Sequence, residues 1–302
     1  MTSRSDVPYG LLRHQGEMLR MGGRILMHTA LRGPARAAAA AAAAAADIAP
    51  IIRAIHPPPR ALVRRYVDWA CAWTGAAGRY DAELPPHMVS QWALPLVGEL
   101  LLRLPYRLTA VINQGASLRV RGPLPRDALL IVGATIEKIE QAAGRTRVVA
   151  AITTGTEQEP NLVEARLHMS FLLPGPRAPK AAQQRPPDHQ WRTAGLWQAD
   201  ADDGLRFALL TGDFNPIHWC GPLARRSVFG GKVLHGFASL VRSYEALEPG
   251  GLREIDVRFV RPVPLPSAML SVQVQDHTDA EGWRALRLAG AGDALHLAGR
   301  LR

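Results

Sequence analysis

The chain has 302 residues, 47% hydrophobic, 21% charged and only 6% aromatic, with a net charge of +10. That balance belongs to an ordinary globular chain of one or two domains and excludes collagen-like, disulfide-framework and wholly disordered classes. Cys71 and Cys220 lie far apart and outside any CxxC pairing, which excludes a disulfide lattice and a zinc knuckle and points to a reducing, cytoplasmic setting. The basic excess is mostly arginine, scattered and without interleaved aromatics, so it reads as compositional rather than as a nucleic-acid face.

Residues 1–60 form an Ala/Arg-rich N-terminal extension. Leu11 to Leu31 carries arginines and has the spacing of an amphipathic helix, closed by Gly33-Pro34. The alanine run Ala37–Ala46 favours helix but is too short and too weakly apolar to cross a bilayer. Up to Ala46 only Asp6 and Glu17 oppose the arginines, a bias shared by organellar transit segments and membrane-surface helices. The simpler expectation is an extension without catalytic consequence.

Pro57-Pro58-Pro59 marks a boundary, and 61–173 reads as one repeat. Leu62, Val63, Tyr66, Val67 and Ala70 recur at helical spacing. The apolar stretch Leu84–Pro105 predicts a second helix ending near Leu104, with Pro95 in its first turn. The period then drops to two: Leu118 and Val120 alternate with arginines, and Val163, Ala165, Leu167, Met169 and Phe171 with polar residues, the mark of half-buried antiparallel strands. Residues 174–190 are Pro-, Ala- and Gln-rich and read as a linker.

From 191 to 302 the order recurs. A helix is expected over Asp202–Leu210, then a Gly/Asn/Pro loop, a longer helix over Phe237–Leu247, and strands around Ile255–Phe259, Leu270–Val274, Leu286–Leu288 and Leu295–Leu301. Two helix-then-meander units suggest duplication.

One segment concentrates chemistry: Thr211-Gly212-Asp213-Phe214-Asn215-Pro216-Ile217-His218, followed by Leu234-His235-Gly236-Phe237. Gly212 and Asn215-Pro216 favour an irregular turn that projects Asp213 and His218 from one loop. A carboxylate and an imidazole held together can grip one water, one group removing a proton while the other delivers one. Their common origin predicts action on a single side of a substrate. Gly236, opening the next helix, offers a free N–H and no side chain to an oxygen gaining negative charge. Taken alone, Asp213 also fits a turn residue and His218 a buried, satisfied histidine. His235 reads as a structural hydrogen-bonder. Arg225 and Arg226 suit phosphate oxygens or plain solvent.

This string, with Phe207 before it and Ala224 after it, resembles the hydratase-2 signature of the MaoC-like, (R)-specific enoyl-CoA hydratases, and Leu234-His235-Gly236-Phe237 is similar to that family's second segment. The resemblance is strongest over 191–302. Residues 61–173 look like the degenerate, non-catalytic repeat of two-domain members, with His87 standing alone.

It implies an α+β double hot-dog fold, two antiparallel sheets each wrapping a central helix. It also implies reversible hydration of a trans-2-enoyl thioester to the (R)-3-hydroxyacyl thioester. Asp213 and His218 would be the acid–base pair, Gly236 the oxyanion donor, Asn215 the loop-ordering residue and Ser243 a pocket hydroxyl. No metal or cofactor is implied beyond CoA or an acyl carrier as part of the substrate. A homodimer is compatible with the duplicated halves. Cys220 departs from the aspartate common at that position. A thioesterase on the same fold and a non-catalytic acyl-binding module are the competing readings.

Overall fold

The computed structural model describes residues 7–31, 48–108, 111–142, 144–173, 190–247 and 250–302. The alanine run and all of the expected linker except Gln190 lie outside them. The strands fall into two sets in chain order. The first such set is β1 (Ile51–Ile55), the short β2 (Glu83–Leu84), β3 (Val111–Val120), the short β4 (Leu124–Pro125), β5 (Leu130–Ala142), β6 (Arg145–Gly155) and β7 (Val163–Leu172). The second set is β8 (Trp191–Trp197), β9 (Glu254–Phe259), β10 (Leu270–Thr278), β11 (Arg284–Ala289) and β12 (Leu295–Leu301). Ten of them make one antiparallel sheet in the order β1-β5-β6-β7-β3-β9-β12-β11-β10-β8, and β2 pairs with β4 apart from it.

That order reads the same way from either end. In each half the first strand lies outermost, the strand after the central helix lies at the seam, and a three-strand meander fills the gap. This is the double hot-dog. The seam is the pair β3–β9, with Gly115 opposite Arg258 and Leu118 opposite Ile255, and Arg119 reaches Glu254 across it at 2.9 Å.

The helices are α1 (Gly16–Leu31), α2 (Arg60–Ala70), α3 (Ser90–Leu102), α4 (Asp203–Thr211), α5 (Gly221–Arg226) and α6 (Gly236–Ala246). α3 is the central helix of the first half, burying Trp92, Leu96, Val97, Leu100 and Leu101 and packing on β5. α6 is its counterpart, burying Phe237, Leu240, Val241 and Tyr244 against β8 and β3. Each such side chain contributes about 1.5–3 kcal/mol through removal from water.

Three expectations are corrected. Ile51–Ile55 does not belong to an extension but pairs with Leu130–Ala134 as the outer strand of the first half. Its middle faces solvent, so it shows no alternation to read. Pro95 sits inside α3 rather than in its first turn, because the helix begins at Ser90, straight after a 3₁₀ turn over Pro86–Val89. Leu11–Leu31 is not one helix: a 3₁₀ turn over Tyr9–His14 precedes α1. Among the described residues no helix is long and apolar enough to cross a membrane.

Candidate active site

The site starts where α4 stops. Gly212 has φ +82°, a left-handed conformation that costs a glycine little, and its N–H closes on the Ala208 carbonyl at 2.7 Å. The chain therefore leaves α4 sharply at Asp213. Two Asx turns shape the loop beyond it: the Asp213 carboxylate accepts from the Asn215 N–H at 3.3 Å, and Asn215 Oδ1 accepts from the Ile217 N–H at 3.4 Å. Asn215 thereby caps the 3₁₀ turn Pro216–His218, with Pro216 at its start where no N–H is needed.

His218 is buried at the end of this turn. Its Nδ1 lies 2.7 Å from the Val233 carbonyl, and a carbonyl only accepts, so Nδ1 carries the proton. Nε2 is left with a lone pair and has no hydrogen-bond partner among the described residues. Burial lowers the pKa of His218, and this outweighs the opposing pull of the Asp213 carboxylate and the Val233 carbonyl. The ring is a neutral base of fixed tautomer.

His235 stacks on His218, ring centroids 3.6 Å apart, and donates from Nε2 to the Asp213 backbone carbonyl at 3.0 Å. Burial, followed by the neighbouring His218, pushes its pKa down to about 3. It ties the start of α6 to the Asp213 loop as a neutral ring. Gly236 is the first residue of α6, a position whose N–H has no intrahelical acceptor. The Phe259 ring lies over it: a Cβ on Gly236 would sit 2.5 Å from Phe259 Cδ2. Val233, which anchors His218, also lines a cleft of about 350 Å³ with Phe229, Arg261, Ser267, Leu270 and His296.

The structure thus brings together Asp213, Asn215, His218, His235 and Gly236. The other candidates lie apart. Ser243 is fully buried on α6, and its hydroxyl has no hydrogen-bond partner among the described residues. Arg225 and Arg226 are exposed in the last turn of α5. Cys220 is a free, half-buried thiol just before α5.

Sequence reasoning missed what holds α6. Arg242 donates to Asp203 of α4 at 2.8 Å, inside the fold, and its guanidinium lies 4.2 Å from the Trp69 ring of α2. Glu245 receives four donors from the first half: Tyr80 Oη at 2.6 Å, His87 Nε2 at 2.6 Å, Arg79 at 2.8 Å and Cys71 Sγ at 3.3 Å. Burial alone would raise its pKa, but these donors hold it down at about 2. No local signal separates such buried charges from a solvated helix face.

Comparison with known proteins agrees with this architecture. Residues 179–286 match the family model of the MaoC-like domain. Among solved structures, HtdX of Mycobacterium tuberculosis superposes with a TM-score of 0.65 at 20% identity, over 84% of this chain and 99% of that one. A MaoC-like dehydratase from Phytophthora capsici does so with a TM-score of 0.66 at 15% identity, over 86% and 96%. The full-length peroxisomal multifunctional enzyme type 2 of Drosophila melanogaster gives 0.61 at 18% identity, over 83% of this chain and 48% of that one. No curated protein sequence matches the chain. Residues 179–286 are therefore similar to the MaoC-like domain, and the chain as a whole shares the fold of these structures.

Proposed function

We propose that the chain is a hydratase/dehydratase that adds water reversibly to a trans-2-enoyl thioester, giving the (R)-3-hydroxyacyl thioester. The observation that carries this is the fixed tautomer of His218. With its Nδ1 proton committed to Val233, Nε2 is poised to take a proton from water. Asp213, on the same loop, is the second group on that water: as the water oxygen bonds to the β-carbon, the proton it gives up is passed on to the α-carbon, and both side chains return to their starting states. The Gly236 N–H and the positive end of α6 stabilise the thioester oxygen as it becomes enolate-like, an effect worth about 3 kcal/mol per donor. Acid and base from one loop make the addition syn. Asn215 and His235 hold the loop and do not exchange protons. The chemistry asks for no cofactor beyond the CoA or acyl carrier that arrives with the substrate.

The test is a panel of enoyl and 3-hydroxyacyl thioesters of graded length, followed by loss of the enoyl absorbance and chiral analysis of the product. The expected outcome is an (R)-3-hydroxyacyl thioester with the thioester intact. Release of free thiol without loss of the double bond would make it a thioesterase. Ligand-dependent thermal stabilisation with an unchanged chromophore would make it a binding module.

A further inference from the structure

The N-terminal segment, expected to be catalytically idle, reaches the base of the acid–base loop. Gln15, between the Tyr9–His14 turn and α1, is 1% exposed. Its side-chain Nε2 donates to the Leu209 carbonyl at 2.8 Å, across 194 positions of chain. Leu209 lies in the last turn of α4, where helix carbonyls lack partners of their own. Two neighbouring carbonyls are met locally, Phe207 by the Thr211 hydroxyl and Ala208 by the Gly212 N–H. Leu209 is met from the N-terminal segment.

Packing repeats the contact. A Cβ built on Gly212 would lie 2.5 Å from Met18 Cγ and 2.8 Å from Gln15 Oε1. Both side chains are thus laid on the backbone immediately before Asp213. The segment has its own anchorage: Leu11 and Met21 are buried, Met21 packs against Gly98 of α3, and Gln15 exchanges amide hydrogen bonds of 3.3 and 3.4 Å with Gln91 of α3. A clasp seated on the first half therefore holds the point from which the second half's loop departs.

From this geometry we infer that Gln15 and Met18 are positioning residues for the Asp213–His218 loop, an inference that rests on the proposed acid–base role of that loop. Gln15→Glu keeps the side-chain shape and replaces the donor with an acceptor facing the Leu209 carbonyl. Met18→Ala, at a part-exposed position, opens space above Gly212 without touching a hydrogen bond. In both variants amide hydrogen exchange is expected to quicken over residues 211–218 and to stay unchanged in β9–β12.

Turnover of an enoyl thioester is expected to fall about tenfold in kcat for Gln15→Glu, as a displaced acid–base pair requires, with KM little changed. The kcat ratio of Gln15→Glu to wild type should recover as pH falls through the carboxyl range, because a protonated Glu regains a donor for Leu209. That recovery is not the signature of a simply destabilised fold. Exchange that is unchanged at 211–218, or that rises uniformly, overturns the inference. So does a local rise with unaltered kcat. If wild type turns over no enoyl thioester, the proposed function fails, while exchange still decides whether the clasp orders the loop.

Discussion

Two buried histidines, one in each half of the molecule, are used in opposite ways. His87, in the first half, is fully buried with both ring nitrogens spent, one 3.0 Å from the Tyr66 hydroxyl and one 2.6 Å from Glu245. His218, in the second, spends Nδ1 on a backbone carbonyl, and its Nε2 has no hydrogen-bond partner among the described residues. Residue type and burial are alike; what differs is the unspent lone pair. A fully committed imidazole helps join the two halves, while a half-committed one leaves a ring nitrogen for the proton transfer we propose.

This contrast breaks most sharply under His218→Ala or Asp213→Asn. Each should lower kcat 10²- to 10⁴-fold, the usual weight of a positioned acid or base, and for Asp213→Asn the unfolding midpoint should be nearly unchanged. Undiminished turnover in steady-state assays would remove the pair from the chemistry. Next comes the opposite class of residue. Glu245→Ala leaves Arg79, His87 and Tyr80 without their shared acceptor inside the fold, and should destabilise by about 3–5 kcal/mol in a denaturant titration. A loss below about 1 kcal/mol would mean that the carboxylate does not join the halves.

Acidity sharpens the comparison further. Burial holds the pKa of His218 below its ordinary 6.5, so the acidic limb of the kcat/KM profile should fall below pH 6.5. A limb at or above 6.5 would contradict the neutral base. For His235 the folded value is about 3 against an ordinary 6.5. The unfolded chain therefore binds the extra proton, and stability present above 6.5 is lost as pH falls from 6.5 toward 3. Urea midpoints across that range would show it. The smallest effect belongs to Tyr66→Phe, which removes one buried hydroxyl from the His87 network. It should cost about 1 kcal/mol of stability, with kcat changed less than about twofold.

The strands flanked by strict alternation, β7 and β9 among them, were legible because one face is buried and the other wet. The Asp213–His218 loop was legible because its turn residues act locally: Gly212 supplies the positive φ and Asn215 the cap. β5 opens as an unbroken apolar run and closes in mixed polar residues, which masks its period. Gln15 shows the deeper limit. Its partner lies 194 residues away, and nothing around Gln15 indicates that Leu209 would need it.

The β3–β9 seam has a consequence for any attempt to divide the chain. β9 is hydrogen-bonded to β12 on one side and to β3 on the other. Severed between residues 174 and 190 and separated, the C-terminal half would bare the row of main-chain N–H and C=O groups along Glu254–Phe259. Such an open edge invites pairing with another copy or disordered accretion. The N-terminal half thus acts as a permanently tethered shield for the β9 edge.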